Sequence, residues 1–255
     1  MTFREDRPTH VSPQTSEDIV KALSARLPAE VILSHLSELP PSYIARTPAD
    51  VIGDHILLFI RAEGRTAVEH TRRGDSDEIT IVASDRPGIL SGLAGTLATH
   101  GVSILGGAIH TRESGHALDV LSVRRLETAA SSWEDLCADI ASVLDGRTTV
   151  DEAAIPSGAV AVATRMPTIV YVSNEASSPF TLVEVNAPDR VGILYAIAKA
   201  MAGLELDIHL AQIETLGTTT VDTFHLRRSD GTRLETAEDI LALRRAITSA
   251  VEALG

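Results

Sequence analysis

The sequence predicts an α+β protein: two tandem units, each an antiparallel sheet covered by helices on one face, behind an N-terminal helical segment. Three observations predict it. The hydrophobic period changes near Gly64, from helical spacing to the alternation of strands. The stretch "ASDRPGILSGLAGTLATHG" (83–101) returns as "NAPDRVGILYAIAKAMAG" (186–203), with Gly88 and Gly192 offset by 104 positions. Between the copies lies a stretch of Ala, Pro and Gly with a single strand hint, "AVAVA". The expected parts are a helical segment 1–63, a first unit 64–146, a linker 147–167 and a second unit 168–255.

In the helical segment, "SEDIVKALSARL" opens with Ser16 as N-cap and carries Ile19, Val20, Leu23 and Leu27 on one stripe. "PAEVILSHLSEL" repeats the pattern and is stopped by Pro40-Pro41. "TPADVIGDHILLFIRA" starts a third helix with Thr47 as N-cap and Pro48 at the first helical position.

The first unit opens with a hairpin: "TAVEHTRR", a turn at "RGDSDE", and the apolar strand "ITIVAS". A helix is expected from Pro87, with Ile89, Leu90, Leu93, Ala94 and Leu97 on one face and Gly101 just past its end. "VSILGGAIHTRE" and "HALDVLSVRRL" read as strands joined at Ser114-Gly115. "SSWEDLCADIASVLDG" is a second helix, with Ser131 and Glu134 spaced for a capping box and Gly146 at its end. Its apolar stripe includes Cys137, so buried packing is the expectation for that thiol.

The order then repeats. "TIVYVS", the turn "NEASSP", strand "FTLVEVN", a helix from about Val191, strands "LDIHLAQIETL" and "TVDTFHLRR", and a final helix from Thr236 follow in turn. The copies match at Asp85/Asp189, Arg86/Arg190, Ile104/Ile208 and Ile109/Ile213. After one residue is lost at a turn they match again at Asp119/Asp222 and Arg124/Arg227. Each unit reads βαββα, one strand short of the ferredoxin-like βαββαβ pattern. The strands "TAVEHTRR" and "TIVYVS" are expected to fill the missing place, antiparallel beside the first strand at a sheet edge.

Composition narrows the function classes. The chain has 255 residues, 44% hydrophobic and 3% aromatic, so its core rests on Leu, Ile, Val and Ala. A formal net charge of -13 argues against nucleic-acid binding. The single cysteine gives no intrachain disulfide, and no apolar run approaches the ~20 residues of a membrane span. A cytoplasmic protein with no membrane or nucleic-acid partner is the expectation.

A βαββα(β) unit with an Asp-Arg-x-Gly turn between first strand and first helix resembles the ACT domain, a small amino-acid-binding regulatory module. The elements "NEAS", "DRVGIL", "IETLG" and "VDTFHL" together resemble the C-terminal ACT pair of bacterial PII uridylyltransferases. "LPPSYIARTPADVIGDHILL" is similar to the helical connector before that pair. The resemblance covers roughly residues 36–255. That family's transferase chemistry needs a Gly-Ser with spaced aspartates, and no Gly-Ser precedes "GDSDE". Its uridylyl-removing chemistry needs a His-Asp dipeptide, and none of the nine histidines is followed by Asp. A non-catalytic chain, with no metal site and no cofactor, is expected.

The turn has its own chemical case. A helix N-terminus offers unpaired N–H groups to a carboxylate, Gly88 and Gly192 let a ligand reach the backbone, and Asp85 and Asp189 suit an ammonium group. Against this, Asp caps helices and Gly permits turns with no ligand at all. The same tripeptide in "EDRPTH" (5–10) has no strand before it and no Gly-Ile-Leu after it, so the tripeptide alone carries nothing. The resemblance places a ligand where two units meet, between the turn of one and the start of the second strand of the other. The candidate set is therefore Asp85, Arg86, Gly88, Ile89, Leu90, Ser103 and Ile104 with Asn186, Asp189, Arg190, Gly192, Ile193, Leu194, Asp207 and Ile208.

Asp119 and Asp222 share strand faces with Leu121 and Phe224, so each needs a partner; a hydrogen bond to the neighbouring hairpin or to Arg is expected. Two readings remain open. One is a sensor for a small amino acid in nitrogen or amino-acid metabolism, glutamine by the family analogy. The other is a ligand-free interaction module. The resemblance also implies a homodimer through sheets or helices, and leaves room for a protein partner.

Overall fold

Helices α1 (Ser16–Leu23), α2 (Ala29–Ser37), α3 (Pro41–Arg46) and α4 (Ala49–Ala62) form the first of two units. That unit comprises residues 1–63 with 112–114, and the second comprises the rest. The structure is a computed structural model and describes residues 15–74, 76–127, 129, 131–156, 166–175 and 178–254. The helical stripes are as expected, with Ile19, Leu23, Ile32, Leu36, Ile52 and Ile56 buried. The caps are not. Thr15, not Ser16, caps α1, in a capping box with Asp18. Pro41 opens the short α3 instead of only stopping α2. Thr47 closes α3, and α4 begins after Pro48, at Ala49. Gly53 has a packing reason: a Cβ there would lie 2.8 Å from the Leu23 side chain. A buried polar chain crosses this unit, the Tyr43 hydroxyl lying 2.9 Å from His55 Nδ1 and 3.4 Å from His35 Nε2.

In the second unit both repeat copies share one sheet. Copy one supplies β1 (Ala67–Arg73), β2 (Ser76–Ser84), β3 (Val102–Thr111) and β4 (His116–Arg125). Copy two supplies β5 (Ile169–Ser173), β6 (Thr181–Pro188), β7 (Leu206–Leu216) and β8 (Thr219–Arg228). The order is β1-β2-β4-β3-β7-β8-β6-β5, and every pairing is antiparallel. The extra hairpin strands β1 and β5 lie at the two edges, beside β2 and β6, where the fourth strand of each unit was expected.

The copies are joined by β3 and β7. Ala108 pairs with Gln212, its own counterpart 104 residues on, so a pseudo-two-fold axis passes through this pair. Each strand has a bulge at the equivalent place, between Ile104 and Gly106 in β3 and between Ile208 and Leu210 in β7. The β3–β7 pairing stops at these bulges, and the ends 102–104 and 206–208, still paired with β4 and β8, are re-aimed.

Helices α5 (Ile89–Thr99), α6 (Trp133–Leu144), α7 (Ile193–Ala202) and α8 (Ala237–Glu252) cover one face, packed as neighbours in the order α6, α5, α7, α8. One apolar cluster runs beneath them through both copies, from Ile79, Leu93 and Leu121 to Val183, Ile197 and Phe224. Helix α5 starts at Ile89, not Pro87. Gly88 is its N-cap with φ at +91°, and Gly192 caps α7 with φ at +85°. Only glycine takes this left-handed conformation at little cost, so Gly rather than Pro decides where the helix begins. Gly101 ends α5 as expected, at φ +66°. Helix α6 is capped one residue later than expected, by Ser132 with Asp135, and Thr236 caps α8. Cys137 is half-buried rather than buried.

Residues 147–156 pack against the helices as a strap. A Cβ on Gly95 would lie 2.8 Å from Val150, and one on Gly192 3.2 Å from Ile155. The short 3-10 turn Glu152–Ala154 sets Glu152 against Lys199. The expected "AVAVA" strand at 159–163 and the "EDRPTH" segment lie outside the described residues.

Candidate functional site

The two turns lie at opposite ends of the antiparallel α5–α7 pair, related by the pseudo-axis. A Cβ on Gly88 would lie 4.0 Å from Ala202, and one on Gly192 4.0 Å from Ala98, the equivalent residue. Each turn therefore sits against the end of the other copy's helix. Its second neighbour is the re-aimed end of the other copy's strand.

The turn of copy two and the start of β3 enclose a cleft. It is lined by Ser103 and Ile104 from β3, by the turn and first residues of α7 from Asp189 to Tyr195, and by Ile213, Thr215, Thr220 and Asp222. The cleft is narrow: about 340 Å³ is unfilled when its mouth is counted, but only about 20 Å³ admits the centre of a water molecule. Ile193 N–H donates to the Arg190 carbonyl and Ala196 N–H to the Gly192 carbonyl. No side chain caps α7, so the other N–H groups of its first turn border the cleft without an intrahelical acceptor. Thr215 closes one side, donating its hydroxyl to the Ile104 carbonyl at 3.3 Å.

Seven of the residues expected from sequence are thus gathered in one cleft: Ser103, Ile104, Asp189, Arg190, Gly192, Ile193 and Leu194. Asp85, Gly88 and Asp207 belong to the counterpart seam, where burial first and the Asp207 charge second disfavour ionisation of Asp85. Arg86 is turned away, donating to the Leu144 carbonyl at the end of α6 (3.1 Å). Ile89 and Leu90 are buried in the apolar cluster, and Ile208 packs against it. Asn186 does not join: it alternates with the buried Val185 and Ala187 and donates to Glu184 on the sheet's other face. Tyr195, Thr215 and Thr220 line the cleft and were missed, because nothing local marks them; only the three-dimensional seam does.

Asp119 and Asp222, singled out as misfits on apolar faces, lie beneath the two turns. Asp222 meets the expectation of a hairpin partner, accepting from the Thr220 hydroxyl at 2.6 Å and from Glu214 N–H at 3.3 Å. Its other oxygen, Oδ2, has no partner among the described residues. Asp119 corrects the expectation, since neither of its oxygens has one. Ala117 occupies the place of Thr220, which removes the hydroxyl. Burial pushes Asp119 up to about 8 and Asp222 up to about 7, and the carboxylate of the overlying turn adds to each shift. Among the described residues, no group of three His, Cys, Asp or Glu side chains is arranged to hold a metal. No helix among them is long and apolar enough to cross a membrane.

No family model matches the chain. Curated proteins do. The bifunctional uridylyltransferase/uridylyl-removing enzyme of Rhodospirillum rubrum is 31% identical over 182 residues, 68% of this chain and 19% of that protein. The same enzyme of Azospirillum brasilense is 30% identical over 232 residues, 85% of this chain and 25% of that protein. Among solved structures, aspartate kinase from Synechocystis matches with a TM-score of 0.36 at 16% identity, over 69% of this chain and 26% of that one.

Eight antiparallel strands in one sheet, built from two βαββα copies with a hairpin strand at each edge, define a tandem ACT-like protein. Over most of its length the chain is homologous to part of the bifunctional uridylyltransferase/uridylyl-removing enzymes, and it spans about a fifth to a quarter of the length of the curated relatives it matches.

Proposed function

We propose that the chain is a non-catalytic regulatory sensor that binds a small amino acid at the seam between its two ACT-like copies. The observation that carries this reading is the cleft itself. It joins a helix N-terminus, which suits a carboxylate, to buried Asp222 and half-buried Asp189, which suit an ammonium group. Its narrowness supplies a means of signalling. A ligand larger than water must move the turn against β3, and the strap rides on the moving part through Ile155 and Glu152. Preference for one arrangement of the seam then becomes a preference for one state of the chain.

Glutamine is the first ligand to test, by analogy with nitrogen control in the relatives. The experiment is a melting assay with each of the twenty standard amino acids, since a ligand that binds only the folded form raises its stability. A rise in melting temperature with one or a few of them is expected. No shift with any at millimolar concentration would sink the reading.

The same narrowness favours the second reading, a ligand-free interaction module whose paired copies serve as a dimerisation platform and whose helical region docks a partner. Pairing of β3 with β7 already joins two units within one chain. A homodimer of whole chains, through sheet edges or helices, is checked by light scattering. A dimer with no amino-acid response would favour this alternative.

A further inference from the structure

One strap serves two copies, so it lies differently on each. Its start is pinned to copy one. Arg147 N–H donates to the Ser142 carbonyl in the last turn of α6 (2.9 Å), and the Thr148 hydroxyl donates to the Ser142 hydroxyl (3.0 Å). Val150 then packs on the bare backbone of Gly95 in α5, where its two methyl groups would lie 2.8 and 2.9 Å from a Cβ. The far end grips copy two. Asp151 caps the 3-10 turn, accepting from Ala153 N–H at 3.1 Å, and the turn presents Glu152 and Ile155 to α7. Glu152 accepts from the Lys199 ammonium group and from the Tyr195 hydroxyl. Ile155 lies against Gly192, which caps α7 and lines the cleft. Val150 and Ile155 both pack against the apolar cluster.

The copies have diverged where the strap crosses them. Gly95, which leaves room for Val150 by lacking a side chain, corresponds to Lys199, which reaches out to Glu152. Ser91, whose hydroxyl donates to the Gly88 carbonyl of its own turn at 2.9 Å, corresponds to Tyr195, which bonds the strap and lines the cleft. A Cβ on Gly88 would have Ser91 at 3.7 Å and Ala202 at 4.0 Å, with no described strap residue within 4 Å. The strap therefore holds one of the two turns and leaves the other alone.

We propose that the strap is a latch on the cleft: it ties the α7 turn to copy one, and the turn moves away from β3 only when Val150 and Ile155 lift from their seats. The Glu152–Lys199 pair is exposed on both sides, so it trims the latch. The apolar contacts of Val150 and Ile155 supply the larger share of the hold. The latch itself stands on geometry and needs no ligand; its use as a control of amino-acid entry rests on the sensor reading.

The test is the rate at which N-ethylmaleimide labels a cysteine placed inside the cleft. Ser103→Cys is made in a Cys137→Ser background, so that it is the single thiol of the full chain. Because the cleft admits little more than water, labelling must wait for opening. Val150→Ala and Ile155→Ala should each speed it about three- to ten-fold, and Lys199→Met by less, at most about five-fold. Asp207→Cys, the same position in the other copy, is the control: the strap changes should leave its labelling within about two-fold. Either apolar change suffices should the other fail to fold. No acceleration at Ser103→Cys overturns the latch. Equal acceleration at both positions also overturns it, because the strap would then act by loosening the whole fold. Neither result touches the sensor reading, which falls to the absence of any amino-acid response in the melting assay; that absence would leave the latch standing.

Discussion

The Thr220 hydroxyl donates to the Asp222 carboxylate at 2.6 Å, and the equivalent residue of the first copy, Ala117, gives Asp119 nothing. With the Glu214 N–H that Asp222 also accepts, this hydroxyl separates two carboxylates that hold equivalent strand positions and are both buried. Thr220→Val should therefore make Asp222 resemble Asp119. Its pKa should rise from about 7, and the protein should lose about 1 kcal/mol of stability. Carboxyl carbon NMR across pH reads the first effect and urea unfolding the second. An unmoved titration would mean that the hydroxyl does not support the charge.

Asp119 makes stability depend on pH in an uncommon direction. Its folded pKa, about 8, lies above the unfolded value near 4, so the folded form binds the extra proton between them. Its contribution is complete below about pH 4 and is lost as pH rises through 8. Asp119→Asn keeps the shape of the protonated acid without the ionisation. The variant should melt higher than the parent at pH 9, by the equivalent of a few kcal/mol. Equal melting temperatures there would refute the assignment.

His35 acts oppositely in the helical unit. Burial, with the charges of Arg112 and His55 near it, pushes its imidazole down to about 3. Its contribution is complete above the unfolded value near 6.5 and is lost as pH falls toward 3. Acidification should weaken this unit by up to about 1.4 kcal/mol per pH unit in that window. Proton NMR should show the His35 ring still neutral at pH 5, and a midpoint near 6.5 would contradict the buried placement.

Gly192→Val should cost more than Gly88→Val. Both replace a residue at positive φ, which costs at least about 1–2 kcal/mol for any L side chain. Only Gly192 also meets a neighbour tightly, Ile155 at 3.2 Å, while the nearest atom to a Cβ on Gly88 is 3.7 Å away. Parallel urea titrations of the two variants read the difference. Equal costs would mean that the strap yields freely.

The copies, their punctuation and the edge places of β1 and β5 were legible in the sequence, because a repeat and an alternation of period are local signals. So was the turn as a meeting point, through the resemblance. Cap positions were not: Ser131 and Ser132, or Thr15 and Ser16, are equally good hydrogen-bond acceptors one residue apart, and packing chooses between them. Pro87 suited a first helical residue, but the positive φ of Gly88 set the start later. Asn186 was misplaced because nearness in sequence to Asp189 says nothing about which sheet face a strand residue takes. Thr215, Thr220 and Tyr195 joined the cleft only through pairing between strands and the approach of a distant β3, which no short window contains.

The pairing of Ala108 with Gln212 puts a near-dyad inside a single polypeptide. In an assembly of identical subunits every substitution appears twice, so a change that improves one interface alters its mate by the same amount. Covalent tandem copies escape that constraint. Ser103 and Asp207, or Ala117 and Thr220, can be inherited and selected separately, one half free to specialise while the other holds the sheet together.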